Sequence, residues 1–235
     1  MTQEDYLQYI RNYFNQARGF GADLVEKFTD DPDTVLLKAE TIYESMIPDI
    51  GYLDDQDHPF ASAVFLCGFQ IAVYLALREQ QVDIHDFGRE LVIKTTTLIE
   101  ARQSKTEGSQ NESGEDDRRH AARRFKDAAE KSQTQAKPRE FVFEVVSGKG
   151  EDFDWGQNVT SCAICYMASK RDVSELVPYM CATDDVVSDL GNQGLRRNGS
   201  IAVGANQCDF RYEAGGKPQP LSRLYPQLIR LIEEP

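Results

Sequence analysis

Phe141-Val142-Phe143-Glu144-Val145-Val146 decides the fold, because the hydrophobic period of the chain changes here. Before it, apolar residues recur at three- and four-residue steps. Within it, Phe141, Phe143 and Val145 alternate with Val142, Glu144 and Val146, the two-residue period of a strand. The run is aromatic and β-branched and follows Pro138, so it predicts a strand buried on at least one face. The expected fold class is therefore α+β: an N-terminal helical part packed with a small antiparallel sheet and short helices in the C-terminal part.

Upstream, Tyr6, Tyr9, Ile10, Tyr13 and Phe14 predict an amphipathic helix within residues 2–28, which Gly19 and Gly21 should end or bend. A second helix starts at Asp31-Pro32-Asp33, with Asp31 as cap, Pro32 in the first turn and Asp33 beside the positive end of the dipole. It runs through Val35, Leu36, Ala39, Ile42, Tyr43 and Met46 until Pro48 and Gly51 stop it. Residues 60–77 carry no charge and read as a buried core helix rather than a membrane span. A further helix begins at Asp83 or Asp86, with Phe87, Leu91, Val92 and Leu98 inward. Composition then turns polar, and residues 103–117 bury too little to order themselves, which predicts a mobile loop. The basic stretch 118–131 has helical spacing but a thin apolar face. It reads as a solvated helix on a linker; the sharper alternative is a helix that closes over a pocket and offers an arginine to an anionic substrate. Residues 1–102, 103–137 and 138–235 thus form a helical part, a flexible acidic and basic insertion, and an α+β part, together able to make one continuous domain.

Downstream, Gly148, Gly150 and Gly156 mark a turn, and a second strand or loop leads through Val159 to Cys162. Short helices are expected at 163–169, 173–180 and 184–190, with Pro178 counting against the middle one. Two strands at 199–203 and 208–212 would flank Gly204-Ala205-Asn206-Gln207 as a hairpin turn, and residues 221–232 read as a last helix.

The 235 residues suffice for one large domain or two small ones, and 26 basic against 39 acidic residues give a net charge of −13. That balance repels phosphate backbones and anionic lipid surfaces, so neither nucleic acid nor membrane is expected as a partner. The polar, acidic start and the lack of an apolar run of about 18 residues predict a cytoplasmic protein. Oligomeric state has no signal in the sequence. Five cysteines without an export signal predict reduced thiols rather than a disulfide framework.

Four of those cysteines fall within residues 161–213: Cys162, Cys165, Cys181 and Cys208, interleaved with Asp184, Arg197 and Ser200. A thiol is chemically active as thiolate, which cations and oriented N–H groups favour. If residues 208–212 are a strand, Cys208, Phe210 and Tyr212 share one face while Asp209 and Arg211 share the other, so Arg211 should pair first with Asp209. Cys67, inside the apolar helix, reads as core. Cys162, Cys165, Cys181 and Cys208 could supply four thiolates to zinc, but the second Cys-x2-Cys pair of a structural site is missing, and no metal site is assigned. The histidines His58, His85 and His120 all lie in the N-terminal part, with His58 and His85 expected on surface loops, so Asp184 is the better general base. With no phosphate-binding glycine loop and no His-Glu-x-x-His, no cofactor is assigned.

These residues carry a resemblance. Cys181-Ala182-Thr183-Asp184, then Arg197-Asn198-Gly199-Ser200 leading to Gly204, then Cys208-Asp209-Phe210-Arg211 resemble the closing pattern of the 2-aminothiazoline-4-carboxylate hydrolase family, with Cys162 matching its leading cysteine and Ser200 standing where the family shows Thr. The likeness covers about the last 75 residues. It implies a hydrolase that opens a small cyclic amidine or isothiourea by adding water at the carbon between nitrogen and sulfur, giving N-carbamoyl-cysteine. It further implies a catalytic set of Cys208 or Cys181 as nucleophile, Cys162 nearby and Asp184 moving protons. Arg197 or Arg211, with Ser200 and Asp209, would bind a small-molecule substrate. The rival classes are a small-molecule-binding or thiol-sensing protein without turnover, and a cysteine-rich metal-binding protein.

Overall fold

The computed structural model describes residues 3–50, 57–106, 115–135, 137, 139–149 and 151–219. The helices are α1 (Gln3–Val25), α2 (Pro32–Ser45), α3 (Ala61–Arg78), α4 (Ile84–Thr106), α5 (Glu115–Gln135), α6 (Ala163–Ser169) and α7 (Val177–Leu190). The strands are β1 (Val142–Ser147), β2 (Trp155–Ser161) and β3 (Cys208–Tyr212), which form one antiparallel sheet in the order β1-β2-β3. The class is α+β, as the change of period at Phe141 implies.

Most helices follow from local signals. Asp31 caps α2 by accepting the Thr34 N–H at 3.2 Å, with Pro32 where its missing N–H costs nothing. Asp83 accepts the N–H groups of His85 and Asp86 at the start of α4. α3 is long and apolar enough to cross a membrane by length and composition alone, yet 67% of it is buried inside the fold, which is how a core helix behaves. α1 does not end at Gly19 or Gly21. A Cβ at Gly21 would stand 2.7 Å from the Phe69 ring and 2.8 Å from Leu36, so this glycine serves close helix packing.

α2 lies on α3, α1 on both, α4 on α7, α5 on β1 and α3 on α6. Buried residues from Ile10 in α1 to Cys208 in β3 form one contiguous cluster, so the helices and the sheet share a core. Asp49, after α2, ties this core to the end of α6 through Lys170 (2.6 Å) and Arg171 (2.8 Å).

Several expectations need correcting. α4 continues to Thr106 and α5 begins at Glu115, so both ends of the expected 103–117 loop are helical; residues 107–114 lie outside the described residues, as does the helix expected at 221–232. The two helices expected at 173–180 and 184–190 are one, α7, with Pro178 in its first turn where proline is tolerated. Residues 199–203 are not a strand. Ile201–Val203 is a 3-10 turn closed by Gly204 at φ +93°, a left-handed conformation that glycine adopts freely, and β3 pairs with β2 instead. Nor are His58 and His85 surface loop residues. His58 is buried against Phe60 and Phe143, and His85 lies within α4, its Nδ1 2.9 Å from the Tyr179 hydroxyl.

Candidate functional site

Because β3 pairs with β2 in the register Val159↔Cys208, Gln157↔Phe210 and Trp155↔Tyr212, these six residues share the inner face of the sheet. Asn158, Asp209 and Arg211 occupy the outer face. The alternation read from the sequence thus holds, but the expected Asp209–Arg211 pairing does not. Arg211 donates to Asn158 Oδ1 at 2.9 Å and to the Phe210 carbonyl at 2.8 Å, and its guanidinium lies over the Phe153 ring. Asp209 instead accepts the N–H groups of Asn198 (2.8 Å) and Gly199 (2.7 Å). Those two bonds, with the Ile201 N–H held by Cys208 Sγ at 3.2 Å, satisfy the backbone that would otherwise need a strand partner.

On the inner face, α7 presents Cys181, Asp184 and Asp185 at helical neighbour spacing. Residue 196 bridges to β3 through paired backbone hydrogen bonds with Arg211, and this puts Arg197 between α7 and the sheet. The Arg197 side chain is 1% exposed. It donates to Asp184 Oδ2 (3.0 Å), Asp185 Oδ1 (2.8 Å) and the Cys181 carbonyl (2.9 Å), and stacks over Phe210 with its central carbon 5.4 Å from the ring centroid. Its Nε is buried without a partner among the described residues.

The thiols meet here. Cys181 lies within electrostatic reach of Asp184, Cys162, Arg197 and Cys208, and Cys208 within reach of Cys162 and Arg197. Cys67, expected as core, is buried in α3 and yet also lies within electrostatic reach of Cys162 and Asp184. All five cysteines are free thiols. Burial raises the Cys181 thiol well above its ordinary range, and Asp184 and Cys162 add to this against Arg197. Contact with Cys165, followed by burial, does the same to Cys162. Cys208 differs: burial raises it, but the Ile201 N–H and Ser200 pull it back, and its thiol donates to the fully buried Ser200 Oγ at 3.8 Å. Of the three thiols, Cys208 has the surroundings that best tolerate a thiolate. Burial also raises the Asp184 carboxyl, against the pull of Arg197. Asp184 keeps 43% of its side-chain surface open, so solvent limits that rise.

Beside this cluster a cleft of about 380 Å³ is lined by Thr160, Cys162, Cys165, Tyr166, Ile201 and Ala202 among others. The outer-face residues Asp209 and Arg211 line a different depression with Arg196 and Asn198. The structure therefore brings Cys162, Cys181, Asp184, Arg197, Ser200 and Cys208 together and sets Asp209 and Arg211 apart, behind the sheet. Among the described residues no three His, Cys, Asp or Glu side chains are arranged to hold a metal ion. Sequence reasoning missed Asp185, which shares Arg197, and Tyr212, which burial and then Asp184 hold protonated. The Asp184-Asp185 pair was the available signal for the first. For Tyr212 it was the shared face with Cys208.

A family model described as L-2-amino-thiazoline-4-carboxylic acid hydrolase matches residues 58–212. The match begins at His58 and ends at Tyr212, so it spans α3, the sheet and every residue of the cluster. No curated protein and no solved structure matches the chain.

Proposed function

The chain belongs to the L-2-amino-thiazoline-4-carboxylic acid hydrolase family, and from that premise we propose that it opens a small cyclic isothiourea or amidine such as 2-aminothiazoline-4-carboxylate, giving N-carbamoyl-cysteine. The observation that carries this reading is the placing of Cys208 against the Ile201 N–H and Ser200, within electrostatic reach of Arg197, which pairs with Asp184, beside a cleft large enough for a small molecule.

In the proposed reaction Cys208 gives up its proton toward Asp184 and its sulfur attacks the ring carbon between nitrogen and sulfur. The ring carbon–sulfur bond breaks, and the departing sulfur takes a proton returned by Asp184. Water then adds to the same carbon and expels Cys208, leaving the carbamoyl group and a free substrate thiol. The Ile201 N–H and the Ser200 hydroxyl stabilise the sulfur anion at both stages. Arg197 has the unspent Nε donor for the substrate carboxylate, which favours it over Arg211 on the far face.

A second reading is favoured by the surroundings that hold the thiols protonated, burial at Cys181 and Cys208 and the Cys165 contact followed by burial at Cys162. In it Asp184 activates water directly and the thiols only shape the site. Both readings require turnover. The test is incubation of the protein with 2-aminothiazoline-4-carboxylate and related rings, following new free thiol and the mass of the product. A ring-opened product supports hydrolysis; saturable binding with no product leaves a ligand-binding protein.

A further inference from the structure

Cys165 has no part in that chemistry, yet it is placed against Cys162. Cys162 is the N-cap of α6, with extended backbone at φ −120° and ψ 117°, and its Sγ accepts the Cys165 N–H at 3.5 Å across the first turn. Side chains three positions apart across a helical turn are neighbours about 5–6 Å apart at Cβ, against about 3.5–4.5 Å in a disulfide, so a small backbone adjustment at the helix start together with rotation of the two thiols closes the pair. Both thiols are half-buried, and both line the cleft of about 380 Å³, where a small molecule reaches them from solvent. Cys67, Cys181 and Cys208 line no part of that cleft.

We propose that Cys162 and Cys165 form a thiol–disulfide exchange site, which a low-molecular-weight disulfide entering the cleft oxidises to an intrachain disulfide. Cys165 loses its proton to solvent as its sulfur attacks one sulfur of the incoming disulfide and expels the other as a thiolate. Cys162 then loses its proton to solvent and attacks Cys165 Sγ, expelling the second thiolate. The pair loses two electrons and the incoming disulfide gains them, ending as two thiols. Contact with Cys165 keeps Cys162 protonated until that second step, the behaviour of a resolving thiol. The inference does not depend on hydrolysis, since its readout is the covalent state of two sulfurs.

The test uses the reduced full-length protein and glutathione disulfide at neutral pH, followed by quenching with iodoacetamide and trypsin digestion. Residues 150–170, between Lys149 and Lys170, contain no other Lys or Arg and hold both cysteines in one peptide. The expected product is this peptide lighter by two hydrogens and free of alkyl groups, reverting on treatment with dithiothreitol. Its yield should be roughly tenfold higher from the folded protein than from the urea-unfolded chain, the ratio that fold-imposed proximity contributes. Cys162→Ser should stop at a stable glutathione adduct on Cys165, and Cys165→Ser should leave Cys162 unmodified. Alkylation of both cysteines, a persistent glutathione adduct in the wild type, or equal oxidation of folded and unfolded chains would each overturn the proposal.

Discussion

Arg197 Nη1 donates to Asp184 Oδ2 at 3.0 Å, and the pair is asymmetric: the arginine side chain is 1% exposed and the aspartate 43%. Arg197 also bonds Asp185 at 2.8 Å and the Cys181 carbonyl at 2.9 Å, so one buried cation holds two carboxylates on α7. The residue is thus structural before it is functional. Arg197→Ala should cost about 2–4 kcal/mol of stability, because it leaves two carboxylates facing each other and a carbonyl unpaired, with solvent at Asp184 moderating the loss. Arg197→Lys keeps the charge, loses the fork and should recover part of it. Urea unfolding measures both, and an Arg197→Ala midpoint equal to wild type would contradict this role.

The helix that carries the site is seated by a missing side chain. A Cβ at Gly88 in α4 would stand 2.5 Å from the ring of Tyr179, which is fully buried in α7. In an open helix Gly→Ala stabilises by roughly 1 kcal/mol. Here the forced separation of α4 and α7 should reverse the sign and cost about 1–3 kcal/mol. A stabilised Gly88→Ala protein would mean that these helices do not pack as described.

How far the sequence disclosed this arrangement depends on where each instruction is written. α1 to α4 were legible because their apolar residues repeat at helical spacing and Asp31 and Asp83 cap locally. β1 and β3 were legible by alternation, whereas the central strand β2, Trp155–Ser161, is largely polar and showed only as a strand or loop. The 3-10 turn at Ile201–Val203 was misread because its backbone partners are side chains on β3, Asp209 and Cys208, whose identity as partners is a tertiary fact. The site was legible as a set of residue types. That Arg197 turns inward to α7 follows from the bridge between residue 196 and Arg211, and that Arg211 pairs with Asn158 rather than Asp209 follows from the register with β2; no local pattern encodes either.

The thiols and phenols fix an alkaline limit to stability. Burial holds Cys67, Cys181, Cys208, Tyr43 and Tyr212 above their ordinary values, and the Cys165 contact does so for Cys162. Above a pH of about 8.5 the unfolded chain releases thiol protons that the folded chain keeps, and above about 10 the same applies to tyrosine. Their contribution is therefore whole below about pH 8.5 and is lost as pH rises through the folded values. The urea midpoint should fall steadily from pH 8 to about pH 10.5, and less steeply in Cys181→Ala. A midpoint that stays level over that range would show these groups to be solvated in the folded state.

The most direct test of the central claim is the turnover of 2-aminothiazoline-4-carboxylate by Cys208→Ser beside the wild type, with Asp184→Asn as companion and circular dichroism to confirm folding. Cys208 Sγ lies 3.2 Å from the Ile201 N–H and 3.8 Å from Ser200 Oγ, and serine can keep those contacts while losing the nucleophile. The account predicts ring opening by the wild type and a loss of about a thousandfold or more in kcat for each folded variant. Cys208→Ser turning over at the wild-type rate would contradict it and leave Asp184 and water as the reacting pair.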